Sequence, residues 1–150
     1  MNTQLRTDVM SILLIEDNSA DARKIERGFG EVDPECTVTS VRTGMEAMTF
    51  IENQLATCPN SLPNLILLDL HLPGMNGVEV LTWLKTQEMT MRIPVLVLSA
   101  SKDTSDISKA YTAHANAFIS KPVGIDALME LVKSIQSFWV ATATLWRAEP

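Results

Sequence analysis

The apolar positions of this chain follow two rhythms, and the points where the apolar runs stop carry most of the information. Residues 9–15 form an apolar run that ends in Glu16-Asp17. Leu65, Ile66, Leu67 and Leu68 run straight into Asp69, and Pro73-Gly74 and Asn76-Gly77 turn the chain soon after. A third run, residues 93–98, is entered through Pro94 and ends at Ser99-Ala100-Ser101. The short run Ala117-Phe118-Ile119 ends at Ser120-Lys121-Pro122. Unbroken apolar runs bounded by turn residues predict strands buried on both faces. Residues 36–41 instead alternate and are rich in Thr and Val, which predicts a strand at the sheet edge.

Between the strands the apolar spacing becomes helical. Ala22, Ile25 and Phe29 share a face after a cap at Asn18 or Ser19, and Gly28 and Gly30 read as the stop. Thr43-Gly44-Met45-Glu46 reads as a capping box, followed by Met48, Ile51 and Leu55 as a buried face. Val80, Leu81 and Leu84 predict a helix over about 78–85, and a weaker pattern predicts one over about 103–113. The last helix starts near Gly124, with Ile125, Leu128, Val132, Ile135 and Trp139 on one stripe. Five strands alternating with five helices, without internal repeat, predict an α/β domain: a doubly wound, mostly parallel sheet with right-handed crossovers. Residues 1–8 read as a polar arm, 9–137 as the domain and 138–150 as an apolar C-terminal extension too small for an output domain.

In such a sheet the carboxyl ends of the strands open on one edge. Glu16, Asp17, Asp69, Ser99 and Lys121 each fall at such an end, so they converge although far apart in sequence. Three crowded carboxylates repel one another and favour a hard divalent cation; oxygen ligands with water suit Mg²⁺. An ammonium and a hydroxyl beside that metal describe a site for a phosphoryl group. Asp69 lacks a neighbouring acid and is the candidate acceptor, since an aspartate can form an acyl phosphate. Glu16 and Asp17 are paired for the metal, with Ser99 and Lys121 for the phosphoryl oxygens.

Composition narrows this further. The chain has 150 residues, 46% of them hydrophobic and 20% charged, with a net charge of -6. That is ordinary for one globular domain and argues against nonspecific binding to nucleic acid or anionic membrane. No apolar run is long enough to span a bilayer or shaped like a signal sequence. Cys36 and Cys58 match no metal or disulfide pattern, which suits reduced thiols in a cytoplasmic protein.

Over about residues 9–137 the chain resembles the receiver domain of two-component response regulators. The resemblance rests on Ile12-Leu13-Leu14-Ile15-Glu16-Asp17-Asn18, Leu68-Asp69-Leu70-His71-Leu72-Pro73-Gly74-Met75-Asn76-Gly77, Pro94-Val95-Leu96-Val97-Leu98-Ser99-Ala100 and Phe118-Ile119-Ser120-Lys121-Pro122. It implies strand order 2-1-3-4-5. It implies that a sensor histidine kinase phosphorylates Asp69, with Glu16, Asp17, Asp69 and the main-chain carbonyl of His71 around Mg²⁺. Ser99 and Phe118 match the family's switch positions, where Ser99 is drawn inward on phosphorylation and Phe118 turns in behind it. The face of the fourth helix, fifth strand and fifth helix is then remodelled. The family also implies a cis Lys121-Pro122 bond. Two departures are small: Ser99 stands where Thr is commoner, and Glu16 where Asp is also frequent.

The Glu16-Asp17-Asn18-Ser19-Ala20-Asp21 start, the loop over 56–63 and Phe138-Trp139 resemble the small response regulators of phytochrome-type kinases. A stand-alone regulator of this kind passes its signal on by protein contact, to a histidine phosphotransfer protein or another downstream protein. Its only chemistry is self-phosphorylation and autodephosphorylation, so it is not an enzyme acting on metabolites. Phe138, Trp139, Val140, Leu145 and Trp146 are too apolar for a free tail. Two outcomes are open: packing on the same domain, or a homodimer contact, made by this tail through Phe138 and Trp139 or by the face of the fourth helix, fifth strand and fifth helix.

Alternatives remain. A pseudo-receiver would act as a phosphorylation-independent interaction module, against which the filled acid, hydroxyl and lysine positions speak. An aspartyl phosphatase of the haloacid dehalogenase type would want a second Asp where His71 stands. A flavodoxin-like flavin module would want a phosphate loop where Glu16-Asp17 stands.

Overall fold

The computed structural model describes residues 9–148, so the expected arm over 1–8 and the last two residues of the extension lie outside the description. The elements alternate along the chain. They are β1 (Ser11–Ile15), α1 (Ser19–Val32), β2 (Thr37–Val41), α2 (Gly44–Thr57), β3 (Leu65–Leu68), α3 (Gly77–Lys85), β4 (Val95–Ser99), α4 (Thr104–Thr112), β5 (Ala117–Ser120) and α5 (Ile125–Ile135). A 3₁₀ turn, Pro59–Ser61, precedes β3, and a π-helical turn, Gln136–Val140, prolongs α5. All strand pairings are parallel, in the order β2-β1-β3-β4-β5. The doubly wound fold expected from the pattern is therefore the one observed.

The unbroken apolar runs have a simple cause. Successive strand side chains point to opposite faces, and both faces are covered. Leu13, Ile15, Ile66, Leu68, Val95 and Val97 pack beneath α2, α3 and α4, with Ala47, Ile51, Val80, Leu81, Leu84 and Ala110 from the helices. Ile12, Leu14, Leu65, Leu67, Leu96 and Leu98 pack on the other side, against Ile25 and Phe29 of α1 and Leu128, Val132 and Ile135 of α5. β3, at the centre, is buried at every residue, whereas the edge strand β2 is not.

Four local expectations are corrected. Gly28 and Gly30 do not stop α1, which runs on to Val32 and ends where Asp33 N–H donates to the Phe29 carbonyl at 2.8 Å. Gly28 instead lets α1 approach α5: a Cβ there would lie 3.0 Å from Cγ1 of Val132. The capping box of α2 is only half formed. Thr43 accepts from Glu46 N–H, but the Glu46 carboxylate reaches Arg42 N–H, one residue before the cap. Ile125 is exposed rather than part of the buried stripe: it is the first residue of α5 and lines an open depression with Lys24, Arg27 and Glu31 of α1 instead of packing into the core. Finally, Lys121-Pro122 is trans, the isomer an X–Pro bond favours by about 0.5–1 kcal/mol.

The extension packs on its own domain. Trp139, Val140 and Leu145 lie on the core shared by α1 and α5. Trp146 and Ala148 lie on the opposite core, so the tail crosses beneath the amino ends of the strands. There the Arg92 guanidinium sits 5.4 Å from the Trp146 ring centroid, and Arg147 Nη1 donates to the Val9 carbonyl at 3.1 Å. Trp139 is thus engaged within the chain. Phe138 stays 54% exposed, edge-on to Trp139 at 5.3 Å between centroids.

Candidate functional site

Each candidate residue is delivered by the end of a strand. Glu16 N–H donates to the Val41 carbonyl at 3.0 Å, carrying the β1–β2 pairing one residue beyond the strand. That holds Glu16 inward, 2% exposed, while Asp17 turns outward. Asp69 N–H donates to the Ile15 carbonyl at 3.0 Å and is fixed beside Glu16 in the same way. Lys121 N–H donates to the Ser99 carbonyl at 2.7 Å, tying β5's end to β4's. One sheet edge therefore gathers Glu16, Asp17, Asp69, Ser99 and Lys121, as the sequence predicts.

Glycine at 77 makes the acceptor loop possible. Its N–H donates to the Leu70 carbonyl at 2.7 Å. A Cβ there would lie 2.5 Å from both the Asp69 carbonyl oxygen and Leu70 Cα. Asn76 and Glu79 then complete a full capping box for α3.

The charges are densely packed. Carboxylate oxygens of Glu16, Asp17 and Asp69 lie within 4.8 Å of one another. The Lys121 ammonium reaches Glu16 Oε1 at 2.5 Å, Asp21 Oδ2 at 3.4 Å and Asp69 Oδ2 at 3.6 Å. Burial, with Asp69 nearby, pushes the Glu16 carboxyl up to about 7 despite the contact with Lys121. Burial acts on Lys121 in the opposite direction, but its bonds to Glu16 and the charges of Asp69 and Asp21 outweigh it. They hold the ammonium above the ordinary lysine value.

Three acids, Glu16, Asp21 and Asp69, thus contact one ammonium, and Asp17 stands beside two of them; carboxylate oxygens are the donors that a hard divalent cation prefers. The residues fit such an ion: Glu16, Asp17 and Asp69 offer an all-oxygen set with negative charge in excess.

Ser99 is fully buried, and its Oγ accepts Ser101 N–H at 3.1 Å. His71 N–H donates to Asp69 Oδ1 at 3.0 Å, which places residue 71 directly at the acceptor. Phe118 is half-buried on the α2–α4 side, and its N–H donates to the Tyr111 hydroxyl at 3.0 Å.

Two participants escape the sequence reading. Asp21 was legible only as a favourable first-turn acid of α1, yet that turn points at the sheet edge and brings it to Lys121. Asp106 of α4 meets the His71 ring, with Nε2 to Oδ2 at 3.3 Å, and accepts Ser101 Oγ at 2.7 Å. The Ser101 bond and the neighbouring His71 hold its carboxyl below the usual value. Its placement three residues after the Asp103 cap was the available signal. A separate depression of about 470 Å³ between α3 and α4, lined by Val78, Thr82, Lys109 and Ala113 among others, includes none of the acids.

Comparison with known proteins agrees with this geometry. The response regulator receiver domain family matches residues 12–133. The response regulator Rcp1 of Synechocystis sp. is 37% identical over 134 residues, covering 89% of this chain and 91% of that protein. The crystal structure of the phosphorylated cyanobacterial phytochrome response regulator RcpA has a TM-score of 0.85 at 42% identity. It covers 91% of this chain and 97% of that one. The Mn²⁺-bound form of Rcp1 has a TM-score of 0.83 at 36% identity, with coverage of 91% and 99%.

Proposed function

The chain belongs to the response regulator receiver family, and from that premise we propose that it accepts a phosphoryl group on Asp69 from a sensor histidine kinase of the phytochrome type. The observation that carries the reading is the meeting, at the carboxyl ends of β1, β3 and β5, of three carboxylates within 4.8 Å and a lysine in contact with two of them. The similarity to RcpA and Rcp1 supports the kinase type.

Glu16, Asp17, Asp69 and the main-chain carbonyl of His71 would hold Mg²⁺, which when bound neutralises charge on the phosphoryl oxygens. An oxygen of the Asp69 carboxylate attacks the phosphorus of the donor's phosphohistidine. The P–O bond forms as the P–N bond breaks, and the imidazole leaves with the electron pair and takes up a proton. The new group carries about two negative charges. Lys121, held at the mouth by Glu16 and Asp21, pairs with its oxygens, and the Ser99 hydroxyl donates to another. Attack of water on phosphorus later restores Asp69. No other substrate is turned over.

The output is a changed protein-binding face of α4, β5 and α5, read by a histidine phosphotransfer protein or another downstream partner. Half-buried Phe118 and its bond to Tyr111 of α4 lie within that face. Exposed Phe138 is the candidate contact for a second copy of the chain. Among the described residues, no helix is long and apolar enough to cross a membrane.

The test is phosphotransfer from an autophosphorylated phytochrome-type kinase. Label should move to the wild-type chain with Mg²⁺, and fail to move with chelator or to Asp69→Ala. Label that also reaches Asp69→Ala would place the acceptor elsewhere.

A further inference from the structure

The His71 imidazole takes part in none of the steps above, yet it is engaged. Its Nε2 lies 3.3 Å from Asp106 Oδ2, in the first turn of α4. The same oxygen accepts Ser101 Oγ at 2.7 Å, and Ser101 Oγ itself accepts Asp103 N–H at 3.2 Å. Ser101 N–H continues to Ser99 Oγ, while His71 N–H is bonded to Asp69 Oδ1. A continuous path therefore runs Asp69, His71, Asp106, Ser101, Ser99, and both of its ends are groups of the phosphoryl site.

The helix start shows that this path is not incidental to α4. In a full capping box the residue at the third helical position turns back to the N-cap N–H, as Glu79 does in α3. Here Asp106 gives that N–H up to Ser101 Oγ and uses its own oxygen on Ser101 and His71. The cap of α4 is thus wired to the acceptor loop through two side chains.

We propose that the His71 imidazole and the Asp106 carboxylate form a tie that holds the first turn of α4 to the acceptor loop, so that a change at Asp69 reaches α4 through side chains. Modification of Asp69 alters the carboxylate that anchors His71 N–H. Ser99 Oγ, turning toward a phosphoryl group, draws on Ser101 at the other end. One event pulls both ends of the path, and α4, lying between them, is the element displaced. The transmission rests on the phosphoryl-acceptor function proposed above; the tie itself does not.

Amide hydrogen exchange on the full chain tests both parts. Without any phosphodonor, His71→Ala is expected to speed exchange at Ile107 and Ser108 about two- to four-fold, the size suited to a tie whose histidine is largely exposed. Ile107 is the sensitive reporter, since its N–H bonds the Asp103 carbonyl of the cap. Amides of α5 should not change, and His71→Gln, which can still donate to Asp106, should restore the wild-type rate. Equal rates in wild type and His71→Ala, or a rise spread evenly into α5, would overturn the tie.

With Mg²⁺ and acetyl phosphate, at phosphoryl occupancy matched by intact mass, the exchange change in α4 should shrink in His71→Ala and in Asp106→Asn. An undiminished change in both would overturn the transmission. If the wild-type chain takes no phosphoryl group, the acceptor function and the transmission fall together, and the first measurement still decides the tie.

Discussion

The two ends of this sheet are made of opposite materials, although the same strands form both. At the carboxyl ends the apolar runs are cut by Glu16, Asp69, Ser99 and Lys121, and charges are held partly out of water. At the amino ends the tail closes over the core, with Trp146 against Arg92 and Arg147 on the Val9 carbonyl. The first arrangement costs stability: a buried carboxyl pushed up to about 7 is a group that the fold does not hold comfortably in its charged form. The second costs nothing comparable and covers apolar surface. Charge collected where it is expensive marks the working edge, and apolar closure marks the supporting one.

Substitutions at the two edges should therefore separate activity from stability. The largest effect is expected from Lys121→Met. Loss of the only ammonium described at this site should slow acetyl phosphate-driven modification of Asp69 about 100-fold or more, by analogy with removal of one charge-stabilising donor. Intact-mass time courses would show it, and a near-normal rate would remove Lys121 from the chemistry.

Next comes divalent cation. Mg²⁺ at about 100 times its dissociation constant should stabilise the wild-type chain by about 2.7 kcal/mol in urea unfolding, and Asp17→Ala should lose most of that gain. Equal gains in both proteins would place the ion elsewhere. Gly77→Ala should cost about 1–3 kcal/mol, because its Cβ meets the backbone of Asp69 and Leu70, and it should slow phosphorylation as well. Urea unfolding and the same mass assay check the two effects.

At the opposite edge, Trp146→Ala should cost about 1–2 kcal/mol, as expected for uncovering a half-buried aromatic, and leave the phosphorylation rate unchanged. A slowed rate there would mean that the two edges are coupled. Phe138→Ser should change stability least, within about 0.5 kcal/mol. Sedimentation of this variant beside the wild type shows whether the exposed ring joins two copies.

How far the sequence reveals this depends on where each residue sits. Asp69, Glu16 and Lys121 interrupt apolar runs, so one dimension is enough to find them and to predict the sheet edge they share. Asp21 and Asp106 sit in helical first turns, where an acid is favourable without any partner. Their second role emerges only once α1 and α4 are aimed at the site. Gly28 reads as a helix stop because glycine often is one, and only the packing of α1 on α5 gives the other reason for it. The path of the tail was open for the same cause: its apolar residues require cover, but their spacing does not say whether the cover is the same domain or a second copy.

The most direct measurement is the intact mass of the chain after incubation with Mg²⁺ and acetyl phosphate, wild type beside Asp69→Asn. One added phosphoryl group is expected on the wild type, none on the variant and none with chelator present. A wild-type chain that binds the metal and stays unmodified, or a variant modified to the same extent, would contradict Asp69 as the acceptor.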